Sequence, residues 1–532
     1  VILFKNDIIM NKNILKLGSK VLLCSALFLG ASACSNFLDE EDPTNLDPDK
    51  FYTAPKHAEA ALNAVYADTR FYGDGAGIFA SNWQMLEAPT GTTTTETAQN
   101  SDLNNLYTLT YDPNTGHNQN WWRGVYKIIG NANLVITKTP GIAKMDEVAR
   151  KKIIGEASFL RAWAYFYAVR LWGEVPIELE PHYVLTERAY PSRSSVQEVY
   201  DLIVADLQVA EAAGLNWTET SGRVSAAAVK SLLAKVYLTM AGEPLKKGLP
   251  YYTLAAAKAK EVIDGAGTTI GLYGTYNEIH DEANNNRREH IFMIQYTQDV
   301  AANPMTNMFP NFKPITHRGN SGTGSTIPRV DFYNSFEPGD KRTVNREGWF
   351  YTSWYKDGVG PAVVELGAPY IFKHFNVKAN GGGPSPAPAP TKRDNLNVPV
   401  IRYAEVLLIY AEAQNASPGG LNQLAYDSYK SIRDRAQLTT PALATFTQTT
   451  FQEAVWRERW YELCFEGITW FDMVRLQKVF NHTTKGFDNF IGHQNSANAT
   501  LQAKHLLFPI PRQEIISNPK LKPQNDGYPE EF

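Results

Sequence analysis

The chain has 532 residues, with 51 Lys and Arg against 55 Asp and Glu, a net charge of −4 and both signs dispersed along its length. That balance shows no basic stripe and argues against nucleic-acid binding, while the length suits a large core built as two closely packed lobes. After the N-terminal leader no run of about twenty apolar residues occurs, so no membrane-crossing helix is expected.

Lys12, Lys16 and Lys20 form a basic leader ahead of Val21–Leu29, an apolar run too short to span a bilayer and of signal-peptide length. Leu29-Gly30-Ala31-Ser32-Ala33-Cys34 then brings small residues directly onto a cysteine. The pattern resembles the bacterial lipobox, in which that cysteine is diacylated and becomes the new N-terminus. A signal peptide over residues 1–33, with its start at Met10, lipidation at Cys34 and attachment to a membrane through acyl chains alone are therefore expected. An ordinary secretory cleavage site is the alternative. Residues 34–57 read as a tether leading into the fold. Their cluster Asp39-Glu40-Glu41-Asp42 is either a solvated linker or an export signal to the outer face. Cys24 leaves with the signal and Cys34 is the acylated residue, so Cys464 has no partner for a disulfide.

Alanine-rich helical spacing runs from Ala58 to Thr69, and the polar stretch Phe71–Tyr111 after it reads as loop. A helix follows over Trp121–Thr137, stopped at Pro140-Gly141. The longest runs from Val148 to Trp172, with Phe159, Ala162, Trp163, Phe166 and Tyr167 on one face and Gly173 and Pro176 ending it. Ser194–Ala213, Ala226–Met240 and Tyr252–Ile263 complete the first helical region. From about Leu272 to Val398 the periodicity gives way to short strands such as Ile291–Ile294, many glycines and asparagines, and an exposed Pro/Ala/Gly loop at Gly381–Pro390. Helices return over Ile401–Asn415, Leu424–Ala436 and Phe451–Val479, before an extended tail carrying Pro509-Ile510-Pro511. Leu232–Tyr237 is echoed by Leu407–Glu412, each ahead of a second alanine-bearing helix, a pattern that resembles tetratricopeptide helix pairs. The fold class is all-α dominated, with a long loop-rich insertion.

Catalytic and metal signatures are missing from the sequence. The ten histidines are scattered without an H-E-x-x-H, and there is no G-x-S-x-G elbow, P-loop or EF-hand string. The glycine pattern Gly75–Ala80 follows a helix in a polar loop and reads as a turn. Glu458, Glu462 and Glu466 recur at i, i+4 and i+8. That spacing suits a carboxylate metal site or an acid/base pair, but with Arg457, Arg459 and Arg475 nearby it reads better as helix-clamping ion pairs. No enzyme activity, cofactor or metal is expected.

Four stretches carry a family resemblance: GEASFLRAWAYFYAVRLWGEVPI (Gly155–Ile177), GRVSAAAVKSLLAKVYLTMAG (Gly222–Gly242), VIRYAEVLLIYAEAQN (Val400–Asn415) and RERWYELCFEGITWFDMVRL (Arg457–Leu476). With the tail FPIPRQEIISNPKLKPQNDGY (Phe508–Tyr528), they resemble the SusD/RagB family of nutrient-binding outer-membrane lipoproteins of Bacteroidetes. The resemblance implies a scaffold of about four tetratricopeptide-like pairs and a variable lobe that holds the ligand. On this reading residues 58–271 form the N-terminal helical region, 272–398 the insertion lobe, and 399–532 the C-terminal helices and tail. It further implies an outer-membrane, outward-facing lipoprotein that works with a SusC-like TonB-dependent barrel.

A sugar ring packs its C–H face on an aromatic plane and needs directed partners for its hydroxyls, so a glycan site calls for exposed Trp or Tyr beside Asp, Asn and Arg on loops. The first loop offers Asp68, Arg70, Tyr72, Asn82 and Trp83. The insertion offers Tyr296, Trp349, Tyr351 and Trp354, and Arg393 and Asn395 precede the next helix. Trp83 stands out because no regular helix can bury it there; its alternative role is a plug between lobes. For Tyr296 the alternative is the end of a buried strand, and for Trp349 and Trp354 a small hydrophobic cluster. Glycan capture is the favoured function, peptide binding of the RagB type the second, and a glycan-degrading enzyme a distant third.

Overall fold

The computed structural model describes residues 51–75, 80–96, 100–180, 190–310, 324–356, 362–380, 394–495 and 497–530. The signal peptide, Cys34, the acidic cluster, residues 76–79 of the glycine pattern, the Gly381–Pro390 loop and Arg393 lie outside them.

Ten helices of eight residues or more occur among the described residues: α1 (Pro55–Asp68), α2 (Gly116–Lys138), α3 (Glu147–Trp172), α4 (Val196–Glu211), α5 (Ala226–Ala241), α6 (Leu249–Asp264), α7 (Tyr403–Ala416), α8 (Gln423–Arg435), α9 (Gln448–Leu463) and α10 (Thr469–Leu476). Helices adjacent in sequence pack side by side from α1 to α8, with α6 meeting α7 across the insertion. The caps explain several boundaries. Asp146 accepts the Ala149 N–H at the start of α3, Ser195 and Glu198 form a capping box on α4, and Asn422 caps α8. Gly155 marks the closest approach: a Cβ there would sit 2.3 Å from Cβ of Ala213, so only glycine lets α3 lie against the end of α4.

Among the described residues four two-stranded antiparallel pairs accompany the helices: β1 (Thr93–Thr94) with β3 (Ile327–Pro328), β2 (His290–Ile294) with β6 (Val398–Arg402), β4 (Phe350–Tyr355) with β5 (Val363–Ile371), and β7 (Lys478–Phe480) with β8 (Phe487–Asn489). The β2–β6 pair places His290 opposite Arg402 and so clasps the two ends of the insertion together. Phe159 of α3 meets Phe292 of β2 edge-on at 5.1 Å, which seats that clasp on the helices. Residues Ala54–Phe532 fold as one compact unit.

Two expectations change. The polar stretch 71–111 contains helical turns at Gln84–Glu87 and Ser101–Tyr107, and much of it is buried. The helix expected over Phe451–Val479 is two helices, because the backbone turns left-handed at Phe465 (φ 66°) and Gly467 (φ 69°). A Cβ at Gly467 would come within 2.4 Å of the Tyr72 hydroxyl, so this break needs glycine on both counts.

The break organises the core. Glu458 pairs with Arg342 at 2.6 Å and Arg433 at 3.3 Å, Glu462 with Arg435 at 2.7 Å and Arg402 at 3.1 Å, and Glu466 with Arg402 at 2.6 Å and with Lys373. Arg402 also holds Glu289 at 2.5 Å. The three glutamates therefore clamp helices and β6 together. Their cations come mostly from Arg342, Arg402, Arg433 and Arg435 rather than from the sequence-adjacent arginines. Burial opposes ionisation of Glu466, yet Arg402 and Lys373 hold its carboxyl down to about 2.

Candidate functional site

Every ring nominated from the sequence is in the interior. After α1 the chain turns at Gly73-Asp74 and comes back, with the Asn82 N–H donating to the Asp74 carbonyl at 2.6 Å and Trp83 N–H to the Tyr72 carbonyl at 2.9 Å. Trp83 is fully buried: its indole N–H donates to the Phe465 carbonyl at 3.0 Å, and its ring meets Phe309 and His374. Trp349 donates to the Tyr461 carbonyl at 3.0 Å, and the Lys373 ammonium lies 3.9 Å from its ring centre. Lys373 itself donates to the carbonyls of Glu462 and Cys464 at 2.7 and 2.9 Å. A broken helix leaves carbonyls without i+4 partners, and these indoles and this ammonium satisfy them in a dry interior.

The remaining rings follow the same rule. Tyr72 directs its hydroxyl to the Glu466 carbonyl at 3.5 Å. Trp354 packs on Phe375 and Tyr351, whose hydroxyl donates to the Phe309 carbonyl at 2.7 Å. Tyr296 is 7% exposed and donates to the Arg70 carbonyl at 3.3 Å. Asn82 is buried as well, its amide donating to the Phe71 carbonyl and its own carbonyl accepting the Trp121 indole N–H. Trp83, Tyr72, Asn82, Tyr296, Trp349 and Trp354 are thus corrected from ligand contacts to core. Cys464 is equally sealed, and burial pushes its thiol far up.

The structure nevertheless brings the first loop and the insertion to one place. Arg70 donates through Nε to the Gln295 carbonyl at 2.9 Å, and the backbone N–H of Tyr296 next to it donates to Asn397 Oδ1 at 2.7 Å. Around them runs a web of side-chain amides. Asn286 and Gln295 exchange two hydrogen bonds at 2.7 and 2.9 Å, and Asn397 donates to Gln295 Oε1 at 2.8 Å. Asn285 donates to the Asn395 carbonyl and Asn395 Oδ1 accepts the Gln298 N–H, both at 2.8 Å. Arg70, Asn285, Asn286, Gln295, Gln298 and Asn395 are each half-buried, held in place yet reached by solvent. Asp74 beside Arg70 is exposed, and partial burial raises its carboxyl pKa against the pull of Arg70 and Lys127. Asp68 faces another way, bonded to Lys127 at 2.8 Å and to Asn131 at 2.6 Å.

Fixed guanidinium and amide groups of this kind donate to and accept from hydroxyls without carrying a nucleophile. Among the described residues no group of three His, Cys, Asp or Glu is placed to hold a metal. Of this rim, sequence reasoning singled out Arg70 and Asn395. It passed over Gln295, Asn285, Asn286 and Asn397, although the asparagines at 284–286 and at 395 and 397 flank the two strands of the clasp.

Residues 36–238 match the family model described as "Starch-binding associating with outer membrane", and residues 365–528 match that of the SusD family. The SusD-like protein P25 of Formosa agariphila is 25% identical over 551 residues, covering 94% of this chain and 98% of that one. A SusD superfamily protein from Parabacteroides distasonis is 33% identical, with a TM-score of 0.82, covering 91% of this chain and all of its own. A laminarin-binding SusD-like protein, 24% identical, superimposes with a TM-score of 0.70 over 90% of this chain and 100% of that one.

Proposed function

Because the chain belongs to the SusD/RagB family, we propose that it captures oligo- and polysaccharides at the cell surface, unaltered, and delivers them to a SusC-like TonB-dependent transporter. In this reading Cys34 carries the lipid anchor, on an outer membrane, with the protein facing outward. The starch-binding, outer-membrane description of the N-terminal match and the laminarin-binding neighbour support glycan as the ligand class. The observation that carries the reading is the rim itself: the Arg70 guanidinium and the neutral amides of the Asn/Gln web present fixed hydrogen-bonding groups at the junction of loop and insertion, suited to hydroxyls.

Affinity electrophoresis in starch, laminarin and host glycans tests it. Wild type is expected to be retarded by at least one polymer. Arg70→Ala is expected to lose about tenfold in affinity, the cost of one charge-assisted contact, with no change in melting temperature beyond a few degrees. Products appearing with time would mark an enzyme instead. Retention by peptides alone would favour a RagB-type peptide carrier.

A further inference from the structure

Outside the rim, one surface combines an open ring with polar walls. Among the described residues Tyr190 is the only aromatic side chain more than half exposed, at 52%. It stands on a groove of about 490 Å³ between α2, the Pro176–Glu178 segment and the C-terminal tail, a volume in the range of small-ligand sites. On α2, Trp122 and Tyr126 occupy one row at i, i+4, and Arg123, Lys127 and Asn131 occupy the next.

The rings are fixed in advance. Tyr126 stacks on Trp122 at 4.9 Å and 29°, and its hydroxyl donates to the Pro176 carbonyl at 2.9 Å. Pro191, the residue after Tyr190, is tied to the tail by the Asn518 amide at 2.8 Å. Arg123 and Lys127 are 60% and 68% exposed at their side chains. Glu178 and Glu514 lie in the same groove and Asp68 holds Lys127, so three carboxylates outweigh two cations and a polyanion is disfavoured. No strand of the described residues lines the groove, so an extended peptide finds no edge to pair with. Phenol faces beside charged and amide groups suit the C–H faces and hydroxyls of uncharged pyranose rings.

We infer that this groove is a second glycan-binding site, taking a short run of neutral sugar units on Tyr190 and Tyr126. The inference rests on glycan as the ligand class. Asp68 ties the groove to the loop that carries Arg70, two residues on, so one polysaccharide would engage both sites and gain in avidity.

Calorimetric titration of the whole protein with maltotriose and with laminaritriose tests this, using wild type, Tyr190→Ala and Arg70→Ala. Tyr190 is exposed, so its removal leaves the melting temperature unchanged. The expected result is two sites in wild type, with the groove site weakened about tenfold by Tyr190→Ala and the rim site by Arg70→Ala. Tyr126→Phe, which keeps the ring, is expected to retain the groove site. A single site lost in Arg70→Ala and unaltered in Tyr190→Ala would overturn the groove while leaving the rim. A single site lost only in Tyr190→Ala would keep the groove and overturn the rim. Binding of neither sugar, with no retardation by any polymer, would overturn both.

Discussion

The charge cluster at the helix break and the amide rim of the insertion lobe both bury or half-bury many polar groups, and they satisfy them in opposite ways. In the cluster, which draws residues from both regions, Arg402, Glu289, Glu462 and Glu466 meet as charges in the interior, each side chain at most 3% exposed. In the lobe Asn285, Asn286, Gln295, Asn395 and Asn397 meet as neutral amides, most of them half-buried. A buried charge tolerates no loss of its partner, whereas an amide at the surface can exchange one hydrogen bond for another at little cost. The first arrangement suits a frame that holds one shape. The second suits a surface that trades partners with hydroxyls.

The largest expected effect breaks the frame. Arg402→Met leaves three carboxylates without their shared cation and is expected to cost about 3–5 kcal/mol, read as a drop in denaturant midpoint. The same drop from substituting an amide of the rim would erase the distinction. An effect of similar size, confined to high pH, concerns Glu87, which is fully buried and accepts the Gly467 N–H at the helix break. Burial raises its carboxyl to about 8, against the bond from Gly467 and the charge of Lys373. Its folded pKa lies above the unfolded one, so its contribution is intact below about pH 4.5 and is lost as pH rises through 8. Glu87→Gln is therefore expected to gain on the order of 4 kcal/mol over wild type near pH 8, and nothing at pH 4. Denaturant melts of both proteins across that range check it; an equal difference at both ends would contradict the assignment. Smallest is Trp83→Phe, which keeps most of the packing but loses the bond to the Phe465 carbonyl, for about 1 kcal/mol of stability.

Much of the helical part was legible in the sequence because periodicity is a local signal. The apolar face of α3 and its stop at Gly173 stood in a single window, as did the spacing of Glu458, Glu462 and Glu466. The helix break was not read, although Gly467 inside an apolar helical pattern was its mark. That omission cost the aromatic assignment. Trp83 looked exposed because its neighbours are polar, and the carbonyl that buries it belongs to Phe465, distant along the chain. The rim was half legible: Arg70 and Asn395 stood out by type, while Gln295 and Asn397 gain meaning only once β2 and β6 are paired.

The central claim is that the first loop's rings build the lobe and its polar rim reads the sugar. Titration of one glycan into Trp83→Phe and Arg70→Ala side by side tests it most directly. The account predicts affinity within about twofold of wild type for Trp83→Phe and a loss of about tenfold for Arg70→Ala. The reverse, with Trp83→Phe abolishing binding in a folded protein and Arg70→Ala binding normally, would contradict it.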